Sequence, residues 1–320
     1  FDMNRDWFAM SQPETKGRIK IMLDYFPQVA VDLHEQGGDN EYYFAPPADP
    51  VNPLITQDQR KWLEAMGRAN GEVFDSRGYG YFVREVYDAF YPGYGDSWPV
   101  FHGAVGMTFE MASARGLRFQ RQDGTVLTYR EGVIKHFTTA ITTAITAAKN
   151  REAMLRDFLN YRQSAIRLAD TGPKEYLIDA GTDPTRAMHL AQRLAAQGIE
   201  VRRADEAIKV GTRTLPVGSL IVPLAQPAGR LVRNLLDASL VMDEAFLKEQ
   251  SRRRDRGLGD QIYDVTAWNL AMVYDLDIVP NTTPVTTRST LVPREPVAAA
   301  AGAPLAASKV GYIMPWGLKA

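Results

Sequence analysis

The sequence predicts an α/β protein in two parts, and three stretches carry that prediction. In the first, Val29, Ala30, Val31 and Leu33 climb to His34, and Gly37 and Gly38 then turn the chain. Such a run reads as a buried strand delivering a histidine to a sheet edge, where α/β proteins place their ligands. In the second, His102 to Ala112 reads as another apolar strand, interrupted by Glu110. In the third, strands and helices alternate from Tyr176 to Leu236, which suggests a smaller α/β unit.

Composition sets the bounds. The chain has 320 residues, enough for one large or two ordinary domains, and its 45% apolar and 23% charged content is ordinary for a globular protein. The formal net charge of -1 gives no field that would draw nucleic acid or an anionic membrane. No apolar run approaches the roughly 20 residues of a membrane span. Cysteine is absent, so disulfides and thiolate sites are excluded and any metal must sit on nitrogen and oxygen donors. The chain starts at Phe1, and 310–316 looks like a strand beginning; both ends are expected to be cuts through a longer protein.

Along the chain, Asn4-Arg5 stands in an apparent loop, where a planar guanidinium and an amide suit a carboxylate; a surface ion pair of Arg5 with Asp2 or Asp6 is the alternative. A helix is expected over 11–26: Ser11 or Gln12 can cap it, Pro13 suits its first turn, and Ile19, Met22, Leu23 and Phe26 share a face. Residues 40–53, with Pro46, Pro47, Pro50 and Pro53, read as a long irregular loop, and 56–69 as a helix with Trp62, Leu63 and Met66 inward. The Gly-, Tyr- and Pro-rich stretch 90–99 reads as a mobile loop from which a tyrosine can reach a site, or as plain aromatic packing. A hairpin is expected around Asp123-Gly124, and a long helical pattern from 131 to about 168. Thr171-Gly172-Pro173 marks a boundary, giving domains 1–170 and 171–280, with 281–320 as a Pro-, Ala- and Thr-rich linker and the start of a further segment. The run 249–256 is expected to be a solvated helix face. His34 has a bland reading, a core-edge histidine held by a backbone group. So has Glu110, a carboxylate in a structural ion pair; the sharper reading is a catalytic group, because bare burial of a carboxylate is costly.

Taken together, Asn4-Arg5, the Ser-Gln-Pro-Glu helix start at 11–14, Val31-Asp-Leu-His34, the 91–98 loop with Trp98, and Gly106-Met-Thr-Phe-Glu110 resemble the zinc carboxypeptidase family over residues 1–168. That resemblance implies a mixed twisted sheet flanked by helices, followed here by a smaller α/β domain. It implies a Zn2+ cofactor with His34 as one ligand, Glu110 as the general base acting on a zinc-activated water, and Asn4 and Arg5 as the grip on a substrate carboxylate. Tyr91 is the implied lid tyrosine, with Tyr94 as the close alternative. The substrate implied is a peptide or amino-acid amide with a free carboxylate, and the setting periplasmic or secreted.

The departure is equally plain. The family's His-x-x-Glu pair is missing: none of His34, His102, His136 and His189 has a glutamate three residues on. An N-terminally truncated chain is expected, one that binds zinc poorly and hydrolyses nothing by itself. Residues 174–280, including Tyr263-Asp-Val-Thr-Ala-Trp268, resemble the accessory region of some large bacterial members. A zinc amidase or deacylase on the same fold, and a non-catalytic module holding peptide or cell-wall fragments, remain open as alternatives.

Overall fold

In the computed structural model the described residues are 1–181, 183–238, 240–263 and 268–295, and they form two compact units, 1–163 with 239–268 and 164–238 with 269–320. Both are mixed assemblies of helices and sheets, and among the described residues there is no closed barrel.

The first unit opens with α1 (Pro13–Tyr25). Gln12 occupies the cap position but makes no capping bond with its side chain. Asp6 instead fixes the residues that lead into the helix: its carboxylate accepts from Ser11 N at 2.8 Å, Ser11 Oγ at 2.7 Å and Gln12 N at 3.0 Å. Burial alone would raise this carboxyl, but the bonds from Ser11, Gln12 and Thr15 outweigh it and hold it below the usual range. The expected strand is β1 (Val29–Gln36), three residues longer than its apolar run, which ends at Leu33. The proline-rich loop that follows contains β2 (Tyr42–Tyr43) and β3 (Ala48–Val51). Next comes α2 (Gln57–Arg77), longer than expected because Thr56 and Gln59 close a full capping box and Gly78, at φ 66°, ends it. After β4 (Tyr81–Phe82) and β5 (Asp88–Ala89) comes β6 (Val105–Ala112). The hairpin β7 (Arg118–Gln120) and β8 (Val126–Thr128) turns at Asp123-Gly124 as expected. The long helical pattern divides into α3 (Tyr129–Lys149) and α4 (Arg151–Ile166) at Asn150.

The main sheet has the order β1-β6-β2-β4, with β1 parallel to β6, β2 antiparallel to β6, and β2 parallel to β4. Side chains alternate across a strand. On β6, Val105, Met107, Phe109 and Met111 enter a core shared with Tyr42, Phe44, Trp62, Leu63, Met66 and Phe74. Gly106, Thr108 and Glu110 therefore face the other way. Glycine permits a close approach here: at Gly67 a β-carbon would stand 2.2 Å from the carbonyl oxygen of Ala45. Phe74, fully buried, meets Tyr42, Phe44, Tyr79 and Tyr81 at centroid separations of 5.0 to 5.9 Å. Phe74→Ala is expected to cost about 3–5 kcal/mol, read as a lowered denaturant midpoint with unchanged slope. A loss under 1 kcal/mol would mean that this aromatic cluster does not hold α2 to the sheet.

The second unit carries β9 (Glu175–Ile178), α5 (Pro184–Ala196), β10 (Arg202–Ala204), the hairpin β11 (Ile208–Val210) and β12 (Arg213–Leu215), β13 (Leu220–Pro223) and α6 (Gly229–Leu236). The expected single strand 214–224 is thus two, separated at Gly218. Helix α7 (Glu244–Asp255) belongs to the first unit; α8 (Leu270–Tyr274), β14 (Ile278–Asn281) and β15 (Ser289–Leu291) belong to the second. The five-stranded sheet β14-β9-β13-β10-β15 is antiparallel at every pairing.

Two boundaries need correction. The range 171–280 is not one unit, because 239–268 clusters with the first. The stretch from 281 is no plain linker, since Asn281 closes β14 and 289–291 form a sheet edge; the rest of it, 296–320 with the strand expected at 310–316, lies outside the described residues. So do 264–267 of the Tyr263–Trp268 motif. The charged residues of 249–256 are solvated along and just past α7, with Arg252 and Glu249 paired at 3.0 Å, while Gln250 among them is buried.

Candidate functional site

Strands β1 and β6 run in parallel register from Val29↔Val105 to Gln36↔Ala112, and that register sets His34 directly beside Glu110. Both belong to the face opposite the core. A cleft of about 470 Å³ opens there, lined by Asn4, Arg5, His34, Tyr94, Asp96 and Glu110 among others. Four of the five residues singled out from sequence therefore share one cleft. Both strands run two residues past these side chains, so neither stands at a strand terminus.

Glu110 is buried, and its Oε2 has no hydrogen-bond partner among the described residues. Burial pushes its carboxyl up to about 7, with His34 pulling down and Asp96 and Asp32 pushing up. Among the described residues Glu110 forms no ion pair, which leaves the structural-pair reading without support. His34 is half-buried, with Nε2 3.0 Å from Asp32 Oδ2. This bond raises the imidazole above its usual range against the opposing effect of burial, and the charges of Asp32, Glu110 and Asp96 add to the rise.

Behind His34 stands His136 on α3, which donates from Nε2 to the His34 carbonyl at 3.2 Å in the tautomer that leaves Nδ1 to accept from Tyr42 Oη at 2.7 Å. Burial keeps His136 below the ordinary histidine range, which favours that neutral form.

Asn4 lies in a short turn, Met3–Arg5, capped by Asp2. Its Oδ1 accepts from Gly95 N at 2.8 Å and its Nδ2 stands 3.4 Å from His34 Nε2. The bond to Gly95 ties Asn4 to the aromatic loop, while His34 Nε2 gives its proton to Asp32. Arg5 pairs with Asp2 at 2.7 Å, the surface pair weighed as an alternative, and its guanidinium lies 5.0 Å over the Tyr94 ring. Arginine is thus held at the rim with its charge in the cleft.

Tyr91 is a correction. It is buried, in edge-on ring contacts with Phe8, Tyr94 and Trp268, and it is Tyr94, the alternative, that lines the cleft, together with Tyr87 and Tyr263. Asp32 and Asp96 were missed. Asp32 had a signal: two residues before His34 on a strand, it must share the histidine's face. Asp96 had less, a lone charge in a Gly-rich aromatic loop. Burial raises its carboxyl, and the hydroxyls of Thr108 and Ser97 bond to it and work against the rise. The loop passes so close that a β-carbon at Gly95 would stand 2.1 Å from Asp32 Oδ2.

A zinc centre needs at least three protein donors. Among the described residues no group of three His, Cys, Asp or Glu side chains is placed to hold a metal ion. His34 offers a single imidazole, so these residues do not by themselves fit the ion that the resemblance implies. No helix of the described residues is long and apolar enough to cross a membrane. In comparisons with known proteins, no family model, no curated protein and no solved structure matches the chain.

Proposed function

We propose that the first unit carries the base and the carboxylate grip of a zinc-carboxypeptidase-like site, a hydrolase that removes C-terminal residues from peptides in a periplasmic or secreted setting. The observation that supports it most is the register pairing of His34 with Glu110 above one cleft with Arg5 at its rim. A buried carboxyl titrating near 7 is suited to take a proton from water and return it to a leaving amine, because a base works best when its pKa lies near the working pH. Arg5 would hold the terminal carboxylate through its planar fork, in exchange for Asp2. Asn4 would hold the loop backbone at Gly95, and Asp32 would orient His34. Zinc enters the proposal only as the ion that His34 would help to hold; the chemistry assigned to this chain is that of its own side chains.

A non-catalytic peptide-binding module is the second reading, favoured by the lack of a three-donor group among the described residues. The orphaned Glu110 Oε2 weighs against it, since a binder gains nothing from a costly buried carboxyl. An amidase or deacylase would use the same groups on a shorter acyl chain.

Arg5 supplies the test. N-acylated dipeptides with a free C terminus are expected to bind more tightly than their C-terminal amides in calorimetric titration. Arg5→Ala should weaken the free acids about 10- to 100-fold, the worth of a charged hydrogen bond, and leave the amides unchanged. Equal binding of acid and amide by the unaltered protein would remove the carboxylate-grip reading.

A further inference from the structure

Helix α3 is inverted with respect to its own unit. Its buried residues are Lys135, Thr138, Thr139 and Thr143, and the hydroxyls of Thr138 and Thr143 accept from Arg77 and Asn70 of α2. Its exposed residues are the apolar ones. From 133 to 148 every exposed position is apolar. Val133, Ile134, Phe137, Ile141 and Ile145 leave between 37% and 66% of their surface in solvent. Ala140, Ala144 and Ala148 lie exposed among them. A surface helix ordinarily does the reverse, with its apolar stripe toward the core and its charges toward water. We infer that α3 pairs with α3 of a second copy of this chain, antiparallel about a two-fold axis at Ile141.

The spacing points to a helix as the occupant. Exposed residues recur at 130, 134, 137, 141, 144 and 148, in alternating steps of four and three. That is the 3.5-residue seam along which one helix lies against another. A lipid surface fits this face less well. Interfacial helices flank their apolar side with basic residues, and no lysine or arginine is exposed between 131 and 148.

The arrangement along the seam favours a copy of itself, running the opposite way. The large residues crowd the N-terminal half and the alanines the C-terminal half. Full overlap of the stretch 134–148 centres the axis on Ile141. Ile134 of one helix then lies on Ala148 of the other, and Ala144 leaves room for the Phe137 ring. A parallel pair would stack Phe137 on Phe137 and leave alanine opposite alanine. The same overlap brings Arg130 and Glu131 at one end beside Glu152 and Arg151 at the other, so each charge meets its opposite. Arg151 and Glu152 are joined only by an exposed contact of 3.6 Å, which leaves both able to turn to a new partner. A two-fold pairing uses each of these contacts twice.

Size sets the strength. The bare apolar surface is on the order of 500 Å², near the top of what a monomer leaves uncovered. Two such faces bury about 1,000 Å², the lower end for a specific interface, so the dimer is expected to be weak, with a Kd of about 1–100 µM.

The test is sedimentation velocity of the chain at concentrations on either side of that Kd. The mass of one chain is expected at the low end and twice that mass at the high end. Phe137→Glu/Ile141→Glu, at two exposed positions, should raise Kd at least about 100-fold, because like charges would face each other across the axis. An unchanged circular dichroism spectrum keeps misfolding out of that readout. The chain has no cysteine, so single replacements report the geometry. An oxidised mixture of Ile134→Cys and Ala148→Cys should cross-link, and Ile134→Cys alone should not.

The mass of one chain at every concentration would overturn the inference and leave the face to another polypeptide. So would a dimer that the double variant does not weaken, or cross-linking of Ile134→Cys with itself in preference to the mixture. Co-sedimentation with phosphatidylcholine–phosphatidylglycerol vesicles, lost in the double variant, would overturn it too and assign the face to lipid.

Discussion

Under the proposed function, Glu110→Gln is expected to lower peptide hydrolysis about 10²- to 10⁴-fold, with little change in substrate binding. Glutamine keeps the shape of the side chain and cannot take a proton. The pH behaviour separates this from a general loss of structure. With Glu110 titrating at about 7 against an ordinary 4.5, activity should rise as pH passes through 7 and the carboxyl loses its proton. Stability should move the other way. Between 4.5 and about 7 the folded state holds a proton that the unfolded state has released, so stability falls as pH rises through that window. His34 acts in the same direction: its raised imidazole contributes stability below its ordinary 6.5, and that contribution is lost as pH rises through the folded value. Glu110→Gln should therefore flatten the stability profile between pH 4.5 and 7. Thermal melts across that range check it, and a variant with an unchanged profile would mean that the carboxyl is not strained by burial.

Gly106→Ala is the second large effect, and it acts on the backbone. A β-carbon at Gly106 would stand 1.8 Å from the carbonyl oxygen of Asp96 and 2.7 Å from Val100 Cγ2. A flexible side chain could give way, but the Asp96 carbonyl is main chain. Either β6 or the aromatic loop must shift, and Asp96 with it. The expected loss is about 3 kcal/mol or more in denaturant unfolding. Gly17, exposed in α1 with nothing within 4 Å of the added carbon, is the control: Gly17→Ala should raise stability by about 0.5–1 kcal/mol. Similar midpoints for the two variants would show that the loop does not press on β6 as described.

Much of the cleft was legible because its groups sit on regular strands. Val29 to Leu33 and Val105 to Met111 carry enough apolar residues to mark them as buried strands, and the charged residue in each run stands out. Period-two alternation then decides which neighbours share the face, and it would have yielded Asp32 and Thr108 had it been applied. Register between the strands is not in the local pattern. The exact pairing of His34 with Glu110 depends on packing of Met107 and Phe109 beneath the sheet, against Tyr42 and Phe74 from far along the chain. Tyr91 and Tyr94 show the limit in a loop, where no period exists and the choice turns on which ring Phe8 and Trp268 bury. His136 was illegible for another reason: its bond goes to the backbone of His34, a tertiary contact between α3 and β1. The domain boundaries erred where the chain crosses twice, since the return of 239–268 to the first unit leaves no mark in composition.

The pairing of His34 with Glu110 is tested most directly by following the His34 imidazole by NMR through a pH titration, in the protein as it stands and in Glu110→Gln. The His34 midpoint is expected to lie above 6.5 and to drop when the neighbouring negative charge is removed. A His34 midpoint that is the same in both would contradict the placement of the two groups over a common cleft.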